Sequence, residues 1–187
     1  VYELYDSGSK YRTISREDDV PMLSSHRFIL TRAGLIKKYR NTFSLTRLGK
    51  QMLTAGNHYE LYGLLFQFVL EKFDWGSMDH YQNFRIIQDA AIFNLLILKK
   101  KAKKFTNARN LGSIFIEAFP DILMEAEESA RWGLPDDIVM HCFDLRFLER
   151  FCASFGLVEE IKAGLGKRLE NQYRITPLFK TLFKWRI

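Results

Sequence analysis

From Leu23 to Ala33 the apolar residues recur at helical intervals. At about 100° per residue, Met22, Leu23, His26, Ile29, Leu30 and Ala33 share one face. Ser24, Arg27, Phe28, Thr31 and Arg32 share the other. Gly34 follows, placed to end the helix in a left-handed turn. Leu35–Tyr39 and Phe43–Leu45, on either side of Arg40-Asn41-Thr42, predict a small hairpin. Thr46 then caps a helix over Arg47–Leu53, and Ala55-Gly56-Asn57 breaks the chain. His58–Phe73 is apolar on most faces, with Glu60, Gln67 and Glu71 as a narrow polar stripe, so it reads as a centrally buried helix. Asp74-Trp75-Gly76-Ser77 is a turn. Gln82–Lys104 predicts one long helix with Phe84, Ile87, Ala91, Leu95 and Leu98 along its inner face. Its terminal lysines suit the negative end of the helix dipole. Pro120 splits two further helices, Asn107–Phe119 and Asp121–Ser129. Pro135-Asp136-Asp137 opens another, which runs to Ser154 and stops at Gly156. Leu157–Ile187 reads as a second hairpin followed by a helix, with Thr176 as cap and Pro177 in the first helical position. Residues 1–19 are polar; Tyr2, Leu4 and Tyr5 start a strand or pack as a tail.

The two hairpin regions match each other. At an offset of 122 residues Leu23 meets Leu145, His26 meets Leu148, Ile29 meets Phe151 and Ala33 meets Phe155. Gly34 meets Gly156, Leu35 meets Leu157 and Ile36 meets Val158. After an eight-residue insertion in the second copy, Phe43 meets Tyr173, Leu45 meets Ile175, Thr46 meets Thr176 and Leu48 meets Leu178. Shared apolar positions argue shared packing. Charge separates the copies: Arg27 becomes Glu149, Lys37 becomes Glu159 and Lys38 becomes Glu160.

The run Arg32-Ala33-Gly34-Leu35-Ile36-Lys37-Lys38, followed by Phe43-Ser44-Leu45-Thr46-Arg47-Leu48-Gly49-Lys50, resembles the third helix and wing of winged helix-turn-helix domains. Phe155-Gly156-Leu157-Val158 followed by Tyr173-Arg174-Ile175-Thr176-Pro177 is similar to the same module. The first copy departs from it in having only about twenty residues ahead of that helix. The chain as a whole also resembles an uncharacterised bacterial family, sometimes joined to plasmid-type open-reading-frame domains, which implies no activity. The winged-helix resemblance implies a helix that enters the major groove and a wing that touches the backbone. The expected architecture is therefore mainly α with two small β-hairpins, as duplicated winged-helix-like units around central helices. Residues 1–57 would form a basic first unit, 58–106 a central helical pair, and 107–187 a second unit with acidic helices and a hairpin.

Composition narrows the classes. A chain of 187 residues with 47% hydrophobic and 27% charged residues is globular, one ordinary domain or two small ones. Two cysteines exclude a disulfide scaffold and a four-cysteine zinc site. The longest charge-free run, Leu61–Leu70, is about half of the roughly 20 residues a membrane helix needs, so no membrane is expected. No secretory signal opens the chain, and reduced cysteines fit a bacterial cytoplasm. The chain starts at Val1 without a methionine, which is compatible with a missing upstream portion.

The net charge of +6 is unevenly spread. Val20–Tyr59 holds no acid but seven bases: Arg27, Arg32, Lys37, Lys38, Arg40, Arg47 and Lys50. Ala90–Ile116 also lacks acids and carries Lys99, Lys100, Lys101, Lys103, Lys104 and Arg109. From Glu117 to Glu149 the sign reverses, with nine acids against Arg131 and Arg146. Single-sign blocks create local fields that attract oppositely charged partners. For duplex DNA the candidate contacts are Arg27, Thr31 and Arg32 on the helix and Lys37, Lys38, Arg40, Arg47 and Lys50 on the wing and the following helix. Arginine reads guanine edges, and lysine chiefly contacts phosphate. The alternative is a solvated basic face without a ligand, in a protein-interaction or structural domain of a larger chain.

Other chemistry is thin. His26, His58, His80 and His141 are scattered without ligand spacing, so no metal is expected, and His26 reads as a core histidine. No Gly-x-Ser-x-Gly elbow or phosphate-cradling glycine loop is present. Cys142 and Cys152 read as small buried groups. Glu125, Glu127, Glu128, Asp136 and Asp137 read as a solvated helix edge and cap. The expectation is a non-enzymatic protein without a cofactor. Phe179, Phe183 and Trp185 share one helix face, which packs on the core or on another chain, a homodimer included.

Overall fold

The computed structural model describes residues 21–54, 56–79, 81, 84–127, 133–164 and 166–184. The expectations for Tyr2, Leu4, Tyr5, His80, Glu128, Arg131 and Trp185 lie outside the described residues, as does the end of the helix expected to reach Ser129. The described chain is mostly helical with two small antiparallel sheets. It divides into two units, Val1–Phe68 and Val69–Ile187.

In the first unit, helix α1 spans Pro21–Arg32. Gly34 ends it at φ +73°, where a side chain would be strained. Leu35 N donates to Leu30 O at 2.9 Å and Gly34 N donates to Thr31 O at 3.1 Å, the paired bonds of a Schellman turn. Strands β1, Ile36–Tyr39, and β2, Thr42–Leu45, follow as an antiparallel hairpin. Arg40 and Asn41 both take positive φ, as a two-residue turn matched to strand twist requires. Thr46 caps helix α2, Arg47–Met52, by accepting from Gly49 N at 3.0 Å. Its hydroxyl donates to Gly34 O at 2.6 Å, and its amide donates to Leu35 O at 3.0 Å. Among residues 21–68, Leu35 is the one fully buried apolar side chain described.

Helix α3, His58–Glu71, crosses the division between the units. It is not the buried central helix expected. Among its residues only Val69 is buried, and Tyr59 is 91% exposed. The α1 face assignment also fails in part: Ile29, Leu30 and Ala33 are half-buried, but Leu23 and His26 are exposed. The reason is packing. Among the described elements α1 packs on β1, and its Arg27 reaches Phe43 of β2.

The second unit begins with a 3₁₀ turn, Trp75–Met78, capped by Asp74 Oδ1, which accepts from Gly76 N at 3.0 Å. The single long helix expected over 82–104 is two, α4 over Ile86–Asp89 and α5 over Ala91–Lys101. Phe84 sits at φ +70°, outside helical space. Ala90 then leaves the helix at ψ 17°, where buried Asn94 donates its amide to Ile87 O at 2.9 Å. The inner face was nonetheless right: Phe84, Ile87, Ala91, Leu95 and Leu98 are all buried.

Strand β3, Thr106–Asn107, leads into helix α6, Ala108–Ala118, capped by Asn107. Then come α7, Ile122–Glu127, and α8, Pro135–Phe143. The chain continues directly from α8 into a π-helix, Asp144–Ala153. Strand β4, Val158–Ile161, a 3₁₀ turn at Arg168–Glu170, strand β5, Gln172–Ile175, and helix α9, Pro177–Leu182, complete it. The sheet order is β3-β5-β4, antiparallel throughout, with Thr106 facing Tyr173 and Glu160 facing Tyr173 across β5. The expected second hairpin thus gains a third strand. Phe143, Phe147, Phe151 and Phe155 stack in a four-residue ladder, and Trp75 packs on Phe151 at 4.8 Å. Burying each such ring contributes about 2–3 kcal/mol.

The turn geometry of the first unit recurs at the matched positions of the second. Gly156 has φ +66°, Leu157 N donates to Cys152 O at 2.8 Å, and Thr176 N donates to Leu157 O at 3.0 Å. The Thr176 hydroxyl donates to Gly156 O at 2.8 Å and accepts from Phe179 N at 3.1 Å. The eight-residue insertion is the stretch that carries the 3₁₀ turn at Arg168–Glu170. Among the described residues no helix is long and apolar enough to cross a membrane.

Candidate functional site

The eight polar and basic residues singled out in the first unit occupy α1, the hairpin and α2. Strand alternation decides which of them meet. Ile36, Lys38, Phe43 and Leu45 share one face of the hairpin, and Lys37, Tyr39, Thr42 and Ser44 share the other. On the first face, the Arg27 guanidinium lies 5.2 Å and the Lys38 ammonium 5.7 Å from the centre of the Phe43 ring. On the second, Arg40 at the turn lies 5.2 Å from the Tyr39 ring. Arg32 covers Phe28, one turn back on its own helix, at 5.6 Å. Contacts of this kind hold a cation with about 0.5–1 kcal/mol at exposed sites. Thr31 Oγ1 donates to Arg27 O at 2.7 Å. Arg47 and Lys50 are exposed on α2, three residues apart. Lys37 and Lys38 therefore point to opposite faces of the hairpin, while Arg27 and Lys38 converge on one ring.

Among the described residues, Arg32, Lys37, Lys38, Arg40, Arg47 and Lys50 enter no ion pair, and all six are exposed. At the matched positions of the second unit the glutamates are tied down. Glu149 pairs with Arg168 and, at 3.3 Å, with Lys162. Glu159 pairs with Arg174, and Glu160 lies 3.8 Å from Lys162.

The second unit also holds two polar groups that sequence reading missed. In one, Arg146 grips Asp79 bidentately, Nε and Nη2 each donating at 2.8 Å, with both side chains 3% exposed. The same guanidinium donates to the carbonyls of Tyr81 and Phe84. Burial alone would pull the Arg146 guanidinium down, but its hydrogen bonds to Asp79 outweigh that and hold it above its ordinary value. Glu125 is not the solvated edge expected. Its Oε2 accepts from Phe84 N at 2.8 Å, so both sides of the strained Phe84 backbone are fixed by buried or half-buried charges. In the other group, Asp144, the first residue of the π-helix, faces Tyr173, Glu160 and Arg168.

One signal for these groups was in the sequence. Asp144 falls between Met140 and Phe147–Leu148 on a stripe that is otherwise apolar, where a charge must find buried partners. Arg146 was not readable, because position 146 lies on the opposite side of the helix from 144 and is covered only by partners 62–67 residues away, Asp79 and the Tyr81 and Phe84 carbonyls.

Burial pushes the Cys142 thiol up to about 12 and Cys152 well above its ordinary value. His26 and His58 are exposed, and burial lowers half-buried His141. Among the described residues no three His, Cys, Asp or Glu side chains are placed to hold a metal ion. Phe179 belongs to the buried core and stacks on Phe183 at 4.9 Å. No protein-family model matches the chain, and no curated protein and no solved structure gives a significant match.

Proposed function

We propose that the chain carries two winged-helix-like units, and that the first is a DNA-binding or regulatory module that contacts duplex DNA through its basic face. The repeat reading is supported by the Gly-Leu-Thr hydrogen bonds common to 34–46 and 156–176. The observation that carries the DNA reading is the contrast at matched positions: six exposed cations without ion pairs in one unit, glutamates consumed in ion pairs in the other. A phosphate backbone offers these exposed cations anionic partners, and each contact releases counterions. Lys37, Arg40, Arg47 and Lys50 serve as phosphate contacts. Arg27, held on Phe43, and Arg32, held on Phe28, are the ordered guanidinium groups on α1 that fit base edges. The test is fluorescence anisotropy on a labelled duplex at about 50 and 200 mM salt; four phosphate contacts lose about a hundredfold in affinity across that range. Absent binding, or binding that salt leaves unchanged, refutes the reading.

A second reading is favoured by the exposed apolar side chains Leu23, Tyr39, Leu53 and Tyr59 in the same unit. They fit a protein-interaction surface, a homodimer contact included. Sizing chromatography of the full chain tests it, and a monomer at all concentrations counts against the homodimer.

A further inference from the structure

The Tyr173 hydroxyl oxygen lies 2.6 Å from Asp144 Oδ1 and 3.0 Å from Glu160 Oε1. A phenol has one hydrogen to give, and two carboxylates compete for it. We propose that Asp144, Tyr173 and Glu160 form a proton-holding triad in which Asp144 carries the additional proton, so that the second unit is tightest at acidic pH and loosens as pH rises to neutrality. In the protonated form Asp144 donates to the phenol oxygen and Tyr173 donates to Glu160, giving a continuous chain from the π-helix through β5 to β4. When Asp144 ionises, the single phenol hydrogen serves one carboxylate and the other faces an oxygen lone pair.

Three observations place the proton on Asp144. Its side chain is fully buried, whereas that of Glu160 is 15% exposed and beside Lys162 at 3.8 Å. Oδ2 of Asp144 has no hydrogen-bond partner. Arg168 Nη1 is 3.4 Å away but not aligned to bond, and its Nη2 is committed to Glu149. Charge balance agrees. Asp144, Glu149 and Glu160 face Arg168 and Lys162, so a neutral Asp144 leaves two acids against two bases. An ionised Asp144 buries an excess negative charge.

Among the described residues, the charged groups on the neighbouring elements are otherwise engaged. On α8, burial holds His141 below its ordinary value, and the Asn171 amide lies beside the phenol. On α6 Arg109 is engaged with Asp137, and on α4 Arg85 pairs with Asp89, both pairs near the surface. Burial pushes the Asp144 carboxyl up to about 7; Tyr173 and Arg168 pull against it, and Glu149 and Glu160 add to it.

The sign follows. Between the ordinary aspartate range, about 3.9, and neutrality the folded chain holds a proton that the unfolded chain has lost, so stability falls as pH rises through that window and is level above it. The experiment is a carboxyl-carbon NMR titration of the full chain, labelled at aspartate and assigned with Asp144→Asn. Expected is one aspartate titrating near neutrality, about three pH units above the ordinary value. In parallel, urea midpoints of wild type are compared with D144N, whose amide donates to Tyr173 without titrating. Wild type loses stability from pH 5 to 8 relative to D144N. An Asp144 already ionised at pH 5, or parallel pH profiles for the two proteins, overturns the proposal. Should D144N fail to fold, the signal is assigned by residue-selective labelling and the wild-type titration alone decides.

Discussion

Replacing Asp79 by asparagine removes the carboxylate that grips Arg146 bidentately. The guanidinium cannot follow by losing its proton, because arginine stays charged in proteins. Both side chains are 3% exposed, and both carboxylate oxygens sit 2.8 Å from guanidinium nitrogens. The substitution therefore takes the paired charge away from a buried cation and costs about 3–5 kcal/mol. A marginally stable domain holds about 5–15 kcal/mol in all, so about a fifth or more of the margin goes. The control is in the same unit. Arg109 and Asp137 form a single 2.9 Å contact with side chains 53% and 39% exposed, and Asp137→Asn costs at most about 1 kcal/mol. Urea unfolding followed by far-UV circular dichroism compares the two variants. The double change Asp79→Asn with Arg146→Met recovers only part of the loss, since the Tyr81 and Phe84 carbonyls then lose their donor, at about 1–3 kcal/mol each. An Asp79→Asn variant no less stable than Asp137→Asn refutes the account of this core.

Gly49→Ala provides a test of opposite sign to intuition. Alanine in a helix ordinarily gains up to about 1 kcal/mol over glycine. Here an added Cβ falls 2.1 Å from Leu35 O, so the variant loses about 1–3 kcal/mol through overpacking; an unchanged or higher urea midpoint contradicts the close approach of α2 to the hairpin. The two thiols react with a disulfide reagent only after denaturation, because Cys142 and Cys152 are both buried. Rapid stoichiometric labelling of the native chain shows that assignment to be wrong.

Local signals were legible where a short stretch decides its own geometry. Gly34 and Gly156 both sit at positive φ, and Thr46 and Thr176 both cap the helices read from them. The inner face of 84–98 was also readable, because burial follows periodicity even where the backbone does not stay helical. What the pattern hid depended on distant partners. Phe84 takes its strained φ because Glu125 and Arg146 hold it from 41 and 62 residues away. The two-residue strand β3 exists only by pairing with β5. The apolar composition of α3 promised a core position, but the ring ladder from Phe143 to Phe155 fills that role in the second unit. At the candidate DNA face the charge run was plain, whereas the splitting of Lys37 and Lys38 to opposite faces required the strand register.

The salt slope of duplex binding reads the number of phosphate contacts directly. Each contact contributes about 0.9 to the slope of log affinity against log salt. Glutamine at Lys37, Arg40, Arg47 and Lys50 lowers that slope by about 3–4, while glutamine at the exposed Lys180 and Lys184 of the second unit leaves it unchanged. Equal slopes for the two variants would contradict the assignment of duplex binding to the first unit.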